Sequence, residues 1–215
     1  SGMRLDCGTK AFSLPNGTMI ASSFNKELTS ELFTFMGLEM AANKVDCLLG
    51  PGMNIHRHPL NGRNFEYFSE DPFLTGKMAS AELKGMAGAG VTGTIKHFCA
   101  NNRETNRHFI DSVVSERALR EIYLKGFEIA VKEGGASSVM TTYGRVNGLW
   151  TARNFDLNTV ILREEWGFKG FIVSDWMDIE HCLDQHFTAA NNKEAFLQSI
   201  LAGMDMHMHG PEWQK

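Results

Sequence analysis

From residue 45 onward, short apolar runs alternate with longer mixed stretches. Residues 45–49 form a short, largely apolar run that breaks at Gly50-Pro51-Gly52, which predicts a strand. A helix follows over 72–88. Asp71 suits its N-cap, Pro72 its first position and Gly90 its stop. The next strand covers 91–95 and ends on Lys96-His97. Residues 116–132 read as the clearest helix: Ser115 caps it, Glu116 favours its positive end and Gly134-Gly135 closes it. Its apolar positions Leu119, Ile122, Tyr123, Phe127, Ile129 and Ala130 fall broadly on one face. A strand over 137–141, a helix over 156–165 stopped by Gly167, a strand at 171–173, a helix over 193–201 before Gly203 and a final strand at 204–208 complete the series.

Strands that alternate with helices argue for an α/β fold with a parallel sheet. Function-type polar residues close several successive strands. An open sheet would concentrate them at one crevice, so a barrel is the better reading. A full barrel of this kind takes roughly 250 residues. The 215 residues here therefore predict an incomplete or compressed (β/α)8 TIM-type barrel, in one domain with no low-complexity linker.

Composition narrows the function. With 43% hydrophobic and 21% charged residues, the chain is ordinary for a globular protein. Its net charge of −4 is spread along the sequence, with neither the basic stripe of a nucleic-acid binder nor a polybasic membrane patch. No apolar run is long enough to span a bilayer. No signal peptide opens the chain and Ser1 stands where a native start would have Met, so the compartment stays open. Cys7, Cys47, Cys99 and Cys182 are far apart and form no CxxC pair, which argues against a zinc ribbon; Cys47 and Cys99 read as buried thiols.

The candidate chemistry sits at strand ends. Phe171-Ile172-Val173 is apolar without alternation, as in a strand covered on both faces. Asp175 follows at its carboxyl end and reads either as a turn cap or as a functional carboxylate. Lys96-His97 and Tyr143 occupy corresponding places after their own strands. A Lys96 near Asp175 would favour the ionised carboxylate and lower its pKa, which suits a nucleophile or base. The plainer alternatives are an ion pair for Lys96, a satisfied core histidine for His97 and simple core for Tyr143. In the dense loop 50–72, Arg63 offers a planar fork to hydroxyls or a carboxylate, and Glu66 is expected to pair with an arginine. His56-Arg57-His58 and His207-Met208-His209 are His-x-His patterns that could chelate zinc, but no carboxylate stands in an obvious ligand arrangement with them. A metal-dependent amidohydrolase-like barrel using His56, His58, Lys96 and an aspartate is thus one rival reading. A non-catalytic carbohydrate-binding remnant is another.

The runs Gly50-Pro51, Arg57-His58-Pro59, Gly62-Arg63-Asn64-Phe65-Glu66 and Ser69-Glu70-Asp71-Pro72 resemble glycoside hydrolase family 3. So do Lys96-His97-Phe98, Ala100-Asn101-Asn102, Glu116-Arg117 with Arg120-Glu121-Ile122-Tyr123-Leu124, Val139-Met140, Tyr143, Arg145-Val146-Asn147-Gly148, Trp166-Gly167-Phe168 and Val173-Ser174-Asp175-Trp176. Their order agrees along nearly the whole chain, and the β-glucosidase and β-xylosidase branch is the closer one. The resemblance implies retaining hydrolysis of terminal non-reducing β-D-glucosyl or related β-linked residues, with no cofactor. It makes Asp175 the nucleophile and Arg63, Lys96 and His97 the hydrogen-bonders of the terminal sugar. Tyr143 becomes the tyrosine beside the nucleophile, and Met140 and Trp176 become apolar walls.

Three departures from the family pattern stand out. The family's Asp-Gly-Pro stretch, expected just before Ser1-Gly2-Met3-Arg4, is absent. Gly144 stands where an Asn usually follows the tyrosine. The family's acid/base glutamate belongs to a second α/β sandwich domain, which the chain does not reach. The expectation is a barrel fragment that turns over little substrate alone and needs that domain as its partner.

Overall fold

The computed structural model describes residues 11–209; Cys7 and the departure at Ser1–Arg4 lie outside them. Two helices precede the first strand, α1 (Gly17–Ser22) and α2 (Lys26–Ala42), and neither was anticipated from periodicity. The side-chain oxygens of Asn16 and Asn25 cap them, accepting from the Met19 and Leu28 amides. α2 buries Thr29, Phe33, Met36, Gly37 and Met40, a regular helical stripe. Leu28, Phe35 and Leu38 lie exposed on its other side and blur that stripe in the sequence.

After β1 (Cys47–Leu48) come α3 (Pro72–Gly88), β2 (Thr92–Phe98) and β3 (Asp111–Ser112). Next are α4 (Glu116–Ala118), a π turn at Leu119–Tyr123 and α5 (Lys125–Lys132). The expected single helix therefore exists, but it carries a π turn, closed by a 2.8 Å bond from the Leu124 amide to the Leu119 carbonyl. β4 (Ser138–Thr141), β5 (Arg145–Val146) and β6 (Leu149–Trp150) follow, then a π-helix at Asp156–Glu165, β7 (Phe171–Val173), α6 (His181–Asp184) and α7 (Asn192–Leu201). The expected caps hold for α3, where Asp71 accepts from the Phe73 and Leu74 amides, and for Ser115. Gly90, Gly135 and Gly167 take positive φ at the expected stops.

The main sheet is parallel, in the order β1-β2-β4-β7. Residues 204–208 add an edge through a parallel bridge between Met206 and Val173, less than the full strand expected. Among the described residues no pairing joins β1 to that edge: they form an α/β arrangement on a parallel sheet, and no closed barrel is seen among them. β3, β5 and β6 form a small separate sheet that the sequence reading did not anticipate.

α3 and α5 pack over β2, which explains the unbroken apolar runs. Ile95, Phe98, Val139 and Ile172 are fully buried. Phe98 meets Phe127 and Trp166 edge-on at 5.3 and 6.0 Å, and burying such a ring contributes about 1.5–3 kcal/mol. β1 can approach β2 because position 93 is glycine: a Cβ there would stand 2.4 Å from the Gly50 carbonyl oxygen.

β2 differs from expectation in one way that matters. It runs through Lys96 and His97 to Phe98 instead of stopping at Ile95, and its register against β4 shifts between Ile95 and Phe98. A strict pleat would send adjacent side chains to opposite faces. The irregularity releases Lys96 and His97 from that rule, so both can serve one cluster.

Candidate active site

Asp175 lies two residues beyond β7, where the chain leaves the sheet. Its neighbour Ser174 is tied to the last segment by a 3.0 Å bond from its amide to the Met206 carbonyl. The carboxylate is 5% exposed. Oδ1 accepts the Trp176 amide at 2.8 Å, and Oδ2 faces His97 Nε2 at 3.7 Å. The Tyr143 hydroxyl donates to the Trp176 carbonyl at 2.9 Å and so braces the same turn. Burial pushes the Asp175 pKa up; the Trp176 amide and the positive charges of Arg107, Arg63 and Lys96 only partly oppose it. This corrects the expectation of a carboxylate lowered by Lys96. Asp178, one turn on, is still more deeply buried, and burial together with Asp175 drives its pKa far above the usual range.

His97 is neutral, and the structure identifies its tautomer. Arg63 Nη1 stands 3.0 Å from Nε2. A guanidinium can only donate, so Nε2 accepts and Nδ1 carries the proton. Nδ1 lies 3.3 Å from both Asn54 Oδ1 and the Tyr67 hydroxyl. Burial and then the charges of Arg63, Lys96 and Arg107 lower the His97 pKa well below its usual range. The 3.7 Å approach to Asp175 is accordingly not an ion pair, because the facing nitrogen presents a lone pair.

Lys96 and Arg63 converge on Glu66. Lys96 Nζ is 3.0 Å from Oε1; Arg63 reaches Oε2 through Nε at 2.8 Å and Nη2 at 2.7 Å. Burial alone would raise the Glu66 pKa, but the charges of Lys96 and Arg63 outweigh it and hold it low. The pairing of Glu66 with an arginine was expected; the second pair, to Lys96, was not. Glu66 fixes the two cations while Arg63 Nη1 turns to His97.

Residues 63, 96, 97, 143 and 175 are thus linked through direct contacts or one shared neighbour. Met140 is on β4, paired with Val173 and 2% exposed, while Trp176, next to Asp175, is 44% exposed. Sequence reading missed Asn54, Tyr67 and Arg107. Asn54 and Tyr67 belong to the dense loop 50–72, whose length and polar content were the available signal. Arg107 lies in a polar stretch with no pattern; its guanidinium carbon sits 4.6 Å over the Tyr143 ring and it pairs with Glu104 at 3.0 Å. Two cavities of about 350 and 420 Å³ flank the cluster. The first is bordered by Asn101, Arg107 and Thr142, the second by Arg63, Glu66 and Lys96. Asp175 lines neither.

The rival metal arrangement does not form. His58 Nδ1 accepts the Leu60 amide and Lys96 is held by Glu66. Among the described residues, the three-ligand grouping that does form is Glu180, His207 and His209.

A parallel α/β sheet with a buried carboxylate and a cluster of polar side chains gathered at the carboxyl ends of its strands defines a class, α/β proteins whose candidate site lies at that rim. Within that class, the chain belongs to glycoside hydrolase family 3: the model of the glycosyl hydrolase family 3 N terminal domain matches residues 2–215. A β-glucosidase of Ruminococcus albus is 80% identical over 176 residues, 82% of this chain and 19% of the relative. β-Glucosidase B of Emericella nidulans is 42% identical over 209 residues, 97% of this chain and 23% of the relative. Among solved structures, a β-glucosidase from Paenibacillus barengoltzii superposes with a TM-score of 0.90 at 52% identity, covering 97% of this chain and 22% of that one. The chain therefore spans about a fifth to a quarter of these relatives.

Proposed function

We propose that the protein carrying this chain hydrolyses terminal β-D-glucosyl or related β-linked residues with retention, and that Asp175 is the nucleophile. The observation that carries this reading is the position of the Asp175 carboxylate beside the His97–Arg63 pair and the turn braced by Tyr143. Asp175 Oδ2 would attack the anomeric carbon, displacing the aglycone and forming a covalent glycosyl–enzyme ester, which water then hydrolyses. A partly desolvated carboxylate is a stronger nucleophile than a solvated one, and the raised pKa is consistent with that cost. Lys96, Arg63 and His97 would hold the sugar hydroxyls, with contacts that tighten as oxocarbenium character develops. Met140 would wall the sugar from below and Trp176 would offer a face for stacking.

The sheet is read as one arc of a (β/α)8 barrel. Glu66 is committed to two cations and Asp178 is buried, so neither is placed to protonate a leaving group. The general acid/base is assigned to a second domain beyond these residues, in line with the small share of its relatives that the chain covers. Alone, the 215 residues would act slowly at best, and only on glycosides with good leaving groups. The sugar is left broad because the relatives include an exo-alpha-(1->6)-L-arabinopyranosidase of Bifidobacterium longum, 45% identical over 80% of this chain.

The test is trapping with a 2-fluoro-2-deoxy-β-glucoside on the full-length protein, followed by peptide mass mapping. Mass added at Asp175 is the expected result; a label on any other carboxylate rejects the assignment.

A further inference from the structure

A second cluster of ligating side chains stands apart from Arg63, His97 and Asp175. Glu180 Oε1 is 2.7 Å from His207 Nε2 and 3.3 Å from His209 Nδ1, and the two imidazole nitrogens are 3.0 Å apart. Glu180 comes from the turn before α6, and the two histidines from the edge segment beyond Met206. The side chains of Glu180 and His207 are 12% and 9% exposed, and that of His209 is 50% exposed.

Protons alone cannot satisfy this triangle. If both imidazoles donate to Glu180, their N–H groups point at each other's nitrogen across 3.0 Å. If only one of them donates, the lone pair of the other faces the carboxylate oxygen. One edge is repulsive in either case. The other Glu180 oxygen, Oε2, is buried without a hydrogen-bond partner among the described residues, a costly state for a carboxylate. A cation at the triangle's centre makes all three contacts attractive at once.

We propose that Glu180, His207 and His209 form a binding site for a divalent transition metal ion, of which zinc fits best. Two imidazoles and one carboxylate are a borderline donor set that suits zinc over calcium or magnesium. An ion 2.0–2.1 Å from each donor would sit roughly 1 Å out of the plane of the three atoms. That position leaves its outer side open to water as a fourth ligand. Binding through Nε2 requires the His207 proton on Nδ1, and Nδ1 faces Ser174 Oγ at 3.4 Å. That oxygen already accepts the Met208 amide and retains a second lone pair, so it can orient the ring as outer-shell partners do. Phe196 packs edge-on to His207 at 4.9 Å and restricts its rotation. The ion would staple the turn bearing Asp175, Trp176 and Glu180 to the last sheet segment; its role is structural, and it stands independently of the proposed nucleophile.

The test uses untagged full-length protein stripped with a chelator, then titrated with zinc by calorimetry and metal analysis. Wild type should bind one more zinc ion per chain than His209→Ala, whose half-exposed site tolerates truncation. Zinc should raise the melting temperature of wild type more than that of the variant. Glu180→Gln should weaken binding at least tenfold. Cobalt in place of zinc should give visible absorption bands that are lost in His209→Ala. Equal zinc stoichiometry and affinity in wild type and both variants, or no zinc uptake by wild type, would overturn the site.

Discussion

Arg63 Nη1 lies 3.0 Å from His97 Nε2, and this one contact makes the imidazole a neutral acceptor. The consequence reaches Asp175, whose Oδ2 faces the same nitrogen at 3.7 Å without an ion pair. Arg63→Lys would keep the positive charge but lose the planar fork that spans Glu66 and His97. Its kcat/KM on an aryl β-glucoside should fall by about 10- to 100-fold, the loss of one or two charge-assisted hydrogen bonds. Steady-state kinetics checks this, and activity within threefold of wild type would contradict the role given to Arg63.

Removing the Asp175 carboxylate should separate activity from stability. The folded-state pKa lies above the ordinary carboxylate value of 3.8 because burial opposes the charge. The folded state then holds the proton more tightly than the unfolded one, so ionisation costs stability as pH rises from 3.8, and the cost is complete above the folded pKa. Asp175→Asn removes that cost and still accepts the Trp176 amide. At neutral pH it should stabilise the fold by about 0.5–2 kcal/mol while turnover falls by about 10⁴-fold or more. Urea midpoints should converge below pH 3.8; a variant less stable than wild type at pH 7 would count against this account.

Glu66 carries the opposite sign. Its pKa is held below its ordinary value of 4.5 by Lys96 and Arg63, against the effect of burial. Its stabilisation is present above pH 4.5 and is lost as pH falls through the folded value. Glu66→Gln leaves two facing cations under-compensated and should cost about 1–3 kcal/mol at pH 7, with a rise in KM as Lys96 and Arg63 lose their anchor. The difference from wild type should shrink on acidification, and a pH-independent difference would argue for a packing effect instead.

Arg107 is a positioning residue whose guanidinium lies over Tyr143 and supports the Asp175 charge. In Arg107→Gln the acidic limb of the kcat/KM profile should move to higher pH, because a counter-charge that lowers the Asp175 pKa is gone. A profile that only drops in height, with its limb unmoved, would restrict Arg107 to packing.

Much of this architecture is legible from local chemistry alone. Asp71, Ser115 and the glycines at 90, 135 and 167 mark helix ends because capping and positive φ are decided within a few residues. The buried character of Ile172 and Val173 is legible from their apolar run, and the place of the carboxylate after it follows from the cost of a charge inside a layer. The helices before residue 43 were not legible, since exposed Phe35 and Leu38 blur the buried stripe of α2.

What the sequence by itself determined is therefore the alternation of strands and helices, the strand ends and the residue types that stand there. Tertiary structure decided the pairings across long separations. Lys96 joins Glu66 instead of serving Asp175, Arg63 assigns the proton on His97, and Glu180 closes the triangle on His207 and His209. It also decided the sign of the Asp175 shift. Propensity and capping are local energies written in neighbouring residues, whereas desolvation and charge–charge terms depend on three-dimensional distance, which no spacing along the chain encodes.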